Sequence, residues 1–259
     1  MKNEKLSLLS FVLPLVTLGV VIALWQITVT VGQFKIHLLP APLDVANVLA
    51  DTAMRENLWA ATCRTGKAAM GGFTAAVIIG VLTSLLFSQA KWIRQSGYPY
   101  AIFFQTVPIV AIAPFVIRLF GFGLSSVMVV SAIISLFPII TNTTTGLISV
   151  DPKQLELFHL NRASRWQILW KLQFPSAIRF LMTGMKTSSG LAVVGAIVGE
   201  FFTGGSVDGY GLGYYIRLTS DLMKTPELFA YMICSTLLGV IAFLFISLVE
   251  RFLLKRWIA

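Results

Sequence analysis

Charged side chains are scarce in this sequence. Only 12% of its 259 residues are Asp, Glu, Lys or Arg, while 56% are hydrophobic. A soluble domain carries about 25% charged residues. This shortage leaves too little polar surface for a protein surrounded by water, so we expect much of the chain to lie in lipid. The net charge of +9 then needs no nucleic-acid partner, because Lys and Arg gather in the cytoplasmic loops of membrane proteins.

Groups that bind metals or perform catalysis are also few. Cys63 and Cys234 are far apart, which argues against a disulfide framework, and His37 and His159 are isolated, which argues against a metal site. No HExxH, G-x-S-x-G or G-x4-GK[ST] motif occurs, and Gly66-Lys-Ala lacks the other residues of a phosphate-binding loop. We therefore expect no enzymatic reaction, no metal and no cofactor on this chain.

Long apolar runs are abundant instead. A membrane-spanning helix needs about 20 mostly apolar residues, and no linker or low-complexity segment divides the chain. We therefore predict an all-α membrane protein with about six transmembrane helices in a single domain, residues 1–259. The predicted spans lie near residues 6–31, 65–88, 98–120, 124–148, 177–202 and 228–254.

The positions of the basic residues predict the orientation. With the N-terminus inside, twelve of the 20 Lys and Arg residues fall on the inner side and four on the outer side, while the other four lie within spans or at their ends. This distribution fits the positive-inside rule and an even number of spans. We therefore predict that both termini and residues 149–178 are cytoplasmic. The twelve are Lys2, Lys5, Lys91, Arg94, Lys153, Arg162, Arg165, Lys171, Arg179, Arg251, Lys255 and Arg256.

Residues 149–178 form the longest polar stretch between spans, and they predict two short helices. Asp151 suits an N-cap followed by Pro152 at the first helical position, and Ser164 suits a second N-cap. Pro175 is expected to end this unit before the next span. Two interpretations remain open from these residues alone: a loop lying on the bilayer surface, or a pair of helices that docks a soluble partner. The predicted apolar stripes are Leu155, Phe158 and Leu160 on the first helix, and Trp166, Leu169 and Trp170 on the second.

Within this stretch, Glu156 and Pro175 stand nineteen residues apart, and Leu172 precedes the proline by three. This spacing resembles the EAA signature of ABC-importer permeases, E-A-A-x3-G-x9-I-x-L-P. An arginine at the glycine position would cost about 1–2 kcal/mol at positive φ, so we expect Asn161 to make the turn instead. The replaced positions are Leu157 and Phe158 for the alanines, Arg162 for the glycine and Phe174 for the leucine.

Short motifs elsewhere extend the resemblance over nearly the whole chain. They are similar to the nitrate/sulfonate/taurine-type branch of these permeases, which also includes importers of thiamine-precursor pyrimidines. The motifs are Leu39-Pro-Ala-Pro42, Gln105-Thr-Val-Pro108, Ala113-Pro114, Phe120-Gly-Phe-Gly123, Phe137-Pro138, Val198-Gly-Glu200 and Gly211-Leu-Gly213.

The resemblance implies a type I ABC importer-like permease in a bacterial inner membrane, a homodimer with two cytoplasmic ATPase subunits. ATP and magnesium would bind those subunits, and a periplasmic or lipid-anchored binding protein would deliver a small polar or anionic compound. Residues 149–178 would be the coupling loop. The implied ATPase-docking residues are Glu156, Leu157, Phe158, Asn161, Arg162, Trp166, Leu172, Phe174 and Pro175.

Polar residues at membrane depth are candidates for the translocation path, because lipid disfavours them. They are Gln105, Thr106, Asn142, Ser188 and Ser189. The alternative for the hydroxyl residues is hydrogen bonding between helices or to their own backbone.

Two charged residues near the outer ends of spans, Arg118 and Glu200, are candidates for an outer gate, as a pair or as a way in for a charged substrate. Snorkelling to the interface is the alternative for Arg118. An ion-gradient-driven secondary transporter is the other class that fits the composition. Such a transporter usually needs a central carboxylate, and the third to fifth predicted spans have none, since Glu200 is at an end.

Overall fold

The computed structural model describes residues 8–204 and 209–258, with the side chains of residues 8–11, 104 and 254–258 left aside. The described chain is almost entirely helical, as predicted. Its helices are α1 Leu8–Gly32, α2 Pro42–Ala50, α3 Thr52–Gln89, α4 Lys91–Thr106, α5 Ile109–Phe120, α6 Leu124–Ile148, α7 Pro152–Leu160, α8 Arg165–Ile168, α9 Phe174–Thr203, α10 Leu212–Asp221 and α11 Thr225–Ile258, with a π-helical turn Leu169–Gln173 between α8 and α9.

Helices α3 and α6 pack in parallel through glycines of α3. A Cβ added to Gly72 would lie 2.5 Å from the Cβ of Ser131, and one added to Gly80 would lie 2.7 Å from Cγ2 of Ile139. Small residues allow membrane helices to approach this closely. The hydroxyl of Ser84 also donates a hydrogen bond to the Ile140 carbonyl, 3.1 Å away. The glycines of the second predicted span therefore serve helix packing.

Helix α9 runs antiparallel to α6 and completes a three-helix core. The Ser131 hydroxyl donates to the Ala192 carbonyl at 2.8 Å, and the Ser188 hydroxyl donates to the Ser135 carbonyl at 2.6 Å. A Cβ on Gly195 would lie 2.7 Å from the Cα of Ser131. Buried hydroxyls thus bond across the same interface that the glycines bring together.

The third predicted span, residues 98–120, is not one helix. Val107 is extended, Pro108 is an N-cap residue, and the separate helix α5 begins at Ile109. Pro99 and Pro114 lie inside α4 and α5 without breaking them. Val107 precedes a proline, whose ring disfavours the helical conformation of the residue before it. The third predicted span is therefore divided into two helices at Pro108.

The broken pair nevertheless passes from one end of the core to the other. A Cβ on Gly97 of α4 would meet the ring of Phe87, near the C-terminal end of α3. Val116 of α5 shares an apolar cluster with Val130, near the N-terminal end of α6, and with Val198, near the C-terminal end of α9. Five other segments, in α1, α3, α6, α8–α9 and α11, are long and apolar enough to cross a membrane alone. The pair α4–α5 supplies the remaining crossing of about six.

Contacts of α11 define the two ends of this bundle. Phe229 at its start stacks on Trp25 in the second half of α1, with ring centroids 5.4 Å apart. Glu250 near its end forms an ion pair with Lys186, in the first half of α9. The start of α9 and the C-terminus of α11 lie on one side of the bundle, which we call the inner end. The opposite side is the outer end. Helices α7 and α8 thus lie at the same end of the bundle as the C-terminus of α11. An even number of crossings requires this arrangement.

Candidate functional site

Helix α7 begins at the inner end as its sequence predicts. The Asp151 carboxylate accepts a hydrogen bond from the Lys153 amide at 2.9 Å, and Pro152 takes the first helical position. An aspartate N-cap satisfies an amide that has no partner within the helix, and proline has no amide to satisfy. The predicted cap is therefore confirmed.

The turn after α7 differs from the prediction. Arg162, not Asn161, has positive φ, at 52°. The Arg162 amide bonds to the His159 carbonyl at 2.9 Å, and the Ala163 amide bonds to the Phe158 carbonyl at 3.0 Å. This pair of bonds is a Schellman motif, which places the left-handed conformation on the residue after the C-cap. Asn161 is that C-cap, and its side-chain amide donates to the Leu157 carbonyl instead. The arginine therefore adopts the conformation expected of the glycine that it replaces.

The next helix also begins as predicted but does not end at Pro175. The Ser164 hydroxyl accepts from the Gln167 amide at 3.3 Å, and the Gln167 side chain accepts from the Ser164 amide at 2.7 Å, forming a capping box. Helix α8 then continues through the π-helical turn into α9, with Pro175 in the first turn of α9. The wider turn, closed by the Phe174 amide on the Leu169 carbonyl, relieves the clash between a proline ring and a preceding carbonyl.

We call residues 152–175 the inner segment. Part of its apolar surface is not buried against the rest of the described chain. Ile168, Leu169 and Leu172 are buried and anchor it, whereas Leu160 is 77% exposed and Trp166 is 70% exposed. The predicted stripe of Trp166, Leu169 and Trp170 is thus divided, because Leu169 faces the core. Of the predicted docking residues, Glu156, Leu157, Asn161, Arg162 and Trp166 are exposed, Phe158, Phe174 and Pro175 are half-buried, and Leu172 is buried.

The residues predicted to line a path lie on three helices, α4, α6 and α9. Gln105 and Thr106 are exposed at the end of α4, next to the break before Pro108. Asn142 donates to the Pro138 carbonyl at 2.8 Å within α6. Ser188 is buried and bonds across to α6, while buried Ser189 donates to the Lys186 carbonyl at 2.8 Å. For these two serines, the structure therefore shows the bonding that was named as the alternative to a path.

The outer end holds a buried polar group that we call the outer cluster. Glu200 is only 3% exposed, and its Oε2 accepts from the Thr65 hydroxyl at 2.8 Å and from the Gly213 amide at 3.0 Å. The Thr65 oxygen in turn accepts from the Leu212 amide at 2.9 Å. The guanidinium of Arg64 interacts electrostatically with the Glu200 carboxylate. These residues join α3, α9 and the start of α10.

The predicted pairing of Arg118 with Glu200 is not what the structure shows. Arg118 is exposed at the end of α5, and the described residues contain no ion pair between it and Glu200. Arg64 and Thr65 of α3 are the groups that approach the carboxylate, and sequence analysis missed both. A signal was present, since Arg64 is a cation within an apolar helix. Nothing in the sequence alone indicated that α3 reaches the end of α9.

Tyrosines gather beside the outer cluster. Tyr210 stacks on Tyr214 with ring centroids 4.2 Å apart, and Tyr215 stacks on Tyr231 at 4.7 Å. Burial, and next the neighbouring Tyr214 and Tyr210, raise the pKa of Tyr215 above its ordinary value. Its phenol stays neutral at physiological pH. Amphipathic aromatic rings are typical of the membrane–water interface, which fits the position of α10 at the outer end.

A groove of about 430 Å³ lies between α9 and α11. Glycines widen it from both sides, at Gly190 and Gly239, and most of its lining is apolar. Such a surface suits lipid or another helix better than a polar solute. Within the part of the chain that the structure describes, no three His, Cys, Asp or Glu side chains are grouped as metal ligands would be.

Comparison with protein families identifies the architecture. Residues 72–258 match the model of the binding-protein-dependent transport system inner membrane component. The match begins within α3 and includes the inner segment and the outer cluster residues of α9 and α10. It covers well over half of the chain.

Individual relatives extend the similarity to most of the sequence. The chain is 35% identical to the riboflavin transport system permease protein RibX of Chloroflexus aurantiacus, covering 93% of this chain and 88% of the relative. It is 31% identical to the formylaminopyrimidine transport permease protein ThiX of Halalkalibacterium halodurans, covering 89% of this chain and 90% of the relative. It is 27% identical to the putative aliphatic sulfonates transport permease protein SsuC of Bacillus subtilis, covering 92% of this chain and 84% of the relative.

A solved structure shares the fold. A chain of an amino acid ABC transporter crystallised with histidines superimposes with a TM-score of 0.62, covering 78% of this chain and 97% of the other. The sequence identity is 16%.

Proposed function

Because the chain belongs to the binding-protein-dependent transport system inner membrane components, and is the permease subunit of an ABC importer, we propose that its inner segment docks the ATPase that drives transport. The observation that carries this proposal is an apolar surface that this chain leaves exposed. Each short helix has its own N-cap, which stabilises its start without a partner. Leu160 and Trp166 nevertheless project their apolar side chains outward.

The charge of the inner segment suits a cytoplasmic partner. Arg162, Arg165 and Lys171 are exposed beside Trp166, and Glu156 is exposed on α7. Exposed apolar side chains surrounded by charges are typical of protein interfaces. We propose that the inner end is cytoplasmic, because the excess of basic residues lies there, and that both termini are on that side.

A second copy of this chain is the partner that we propose within the membrane. A polar compound needs a polar or hydrated path, and the groove between α9 and α11 is lined mostly by apolar groups. Gln105 and Thr106, by contrast, are exposed at the break between α4 and α5. A path between two copies would place such residues on its wall.

For the substrate, we propose a small planar nitrogen heterocycle delivered by a binding protein. The support is that the two relatives above 30% identity described here are named for riboflavin and formylaminopyrimidine. A sulfonate is the second candidate, because the relative at 27% is named for aliphatic sulfonates and Arg118 is exposed near the outer end. Competition between a flavin, an aminopyrimidine and an alkyl sulfonate for uptake by the reconstituted transporter distinguishes them.

The docking proposal is tested by co-purification from native membranes with a tag on this chain. We expect an ATPase subunit to accompany the unchanged protein, and Trp166→Ala to reduce its yield at least about tenfold. Trp92→Ala is the matched control, since Trp92 is also 70% exposed but belongs to α4. Equal ATPase yield from Trp166→Ala and Trp92→Ala would contradict the proposed docking surface.

A further inference from the structure

The start of α10 is held by side chains from two other helices. Gly211 is the N-cap residue of α10, and its side chain offers no acceptor. The first amides of a helix have no partner inside it. Here the Leu212 amide donates to the Thr65 oxygen and the Gly213 amide donates to Oε2 of Glu200, at 2.9 and 3.0 Å. Thr65 and Glu200 therefore act together as the cap that α10 lacks in its own sequence.

The two glycines at this junction are required by close approach. A Cβ on Gly211 would collide with the Glu200 carboxylate, and one on Gly213 would collide with the Ile197 carbonyl. The Glu200 side chain is almost completely buried, and its Oε2 lies at the N-terminal end of α10, where the first amides of the helix point. This junction therefore needs a hydrogen-bond acceptor at position 200 and glycine at positions 211 and 213.

Glu200 is also linked to the inner end through one continuous element. From Arg165 to Thr203, α8, the π-helical turn and α9 form an unbroken helical segment of 39 residues. At about 1.5 Å per residue its length is roughly 58 Å. One end carries Trp166 of the docking surface and the other carries Glu200. We expect a displacement of the inner segment to be transmitted along this helix to the carboxylate that caps α10.

We propose that Glu200 is the residue that positions α10 against the outer ends of α3 and α9, so that movement of the 165–203 helix tightens or releases α10. The inference rests on the proposed function, since it needs an ATPase that moves the inner segment. In this proposal Glu200 bonds to α10 and not to Arg118. It also assigns to Thr65, on α3, the second side chain that holds the start of α10.

Labelling of a buried reporter on α10 tests the proposal. Thr219 is 2% exposed, lies two turns from the junction, and bonds within α10 to the Tyr215 carbonyl. Thr219→Cys, with Cys63 and Cys234 replaced by alanine, is exposed to a membrane-impermeant maleimide in the reconstituted transporter. We expect slow labelling with Glu200 present, and labelling at least tenfold faster with Glu200→Ala.

Conservative variants separate positioning from loss of folding. Thr65→Val removes the hydroxyl without changing the size of the side chain and should speed labelling, whereas Thr65→Ser keeps the hydroxyl and should not. Asp221→Asn is the matched carboxylate control on α10, because Asp221 is exposed and forms an ion pair with Arg217 of its own helix, 3.7 Å away. Equal labelling rates in Glu200→Ala, Thr65→Val and Asp221→Asn would overturn the proposal.

The nucleotide response distinguishes this inference from the docking proposal. With the ATPase bound, a non-hydrolysable ATP analogue should change the labelling rate at least threefold when Glu200 is present and should have no effect in Glu200→Ala. A response that persists in Glu200→Ala would show that another residue carries the link, while docking would stand. Failure of any ATPase to co-purify would instead contradict the docking proposal, and the labelling of the permease alone would still test the role of Glu200.

Discussion

The ammonium group of Lys186 on α9 and the carboxylate of Glu250 on α11 form an ion pair across two membrane helices. Both side chains are largely buried. Charges at membrane depth are costly unless they are paired or hydrated. Lys186 lies within the fifth predicted span, and the structure shows that it has a carboxylate partner there. This pair joins α11 to the three-helix core close to the inner end.

Reversing either charge of this pair should destabilise the protein. Lys186→Glu and Glu250→Lys each leave two like charges together, and we expect a loss of about 2 kcal/mol or more. The double variant should recover most of that loss. Thermal unfolding of the detergent-solubilised protein measures the effect, with Arg251→Gln as a control, since Arg251 is exposed beside Glu250. A double variant no more stable than the single ones would contradict a direct pair.

Reversing the charge of Glu156 should separate the ATPase from the permease without unfolding either. Glu156 is exposed on α7, so Glu156→Lys removes no packing within the chain and should leave membrane insertion and the thermal midpoint unchanged. Co-purification of the ATPase should fall at least about tenfold. Gln154→Lys introduces the same charge on the opposite face of α7 and should have little effect. Normal transport by Glu156→Lys would count against docking at this surface.

Two glycines of α9 should respond differently to the same added methyl group. In Gly195→Ala the new Cβ would lie 2.7 Å from the Cα of Ser131, so α9 must move from α6, at a cost of about 1–3 kcal/mol. In Gly190→Ala nothing lies within 4 Å of the new Cβ, so the stability of the protein should be unchanged or slightly increased. The difference in thermal midpoint between the two variants measures this contact. Equal midpoints would contradict close packing of α6 and α9.

Replacing Arg162 by glycine should stabilise the turn between α7 and α8. Arg162 has a φ of 52°, a conformation that is unfavourable for residues with a Cβ and free for glycine. We expect Arg162→Gly to stabilise the turn by about 0.5–1 kcal/mol, and Arg162→Val to destabilise it, because β-branched residues tolerate positive φ least. Hydrogen exchange of the Ala163 amide reports the effect. Faster exchange in Arg162→Gly would contradict the assigned conformation.

Local sequence signals predicted the helix caps and the apolar runs correctly. Asp151 and Ser164 cap the two helices that they were expected to cap, because an N-cap depends on residues at most three positions apart. The prolines were a weaker guide. Pro99, Pro114 and Pro138 lie inside helices, and only Pro108 separates two of them. Surrounding helices decide which proline is tolerated, and a single sequence does not contain that information.

The position of the turn at Arg162 was also predicted wrongly from the preference of a single residue. Residue preference favoured Asn161, but the Schellman bonds of α7 place the positive φ one residue later. The family spacing was the better guide, because it records the position of the turn rather than the preference of one side chain. Pro175 was misread in a similar way, since a π-helical turn carries the chain through it.

The sequence by itself determined that this chain is a helical membrane protein of about six crossings, because hydropathy and the length of apolar runs follow from composition along the chain. It also determined the inner segment, whose spacing and caps are local. Only the tertiary structure decided that Glu200 bonds to Thr65 and α10 rather than to Arg118, and that Lys186 pairs with Glu250. Those partners are separated by 135 and 64 positions, respectively. Bonds of that kind depend on how the helices pack, which no short pattern in the chain encodes.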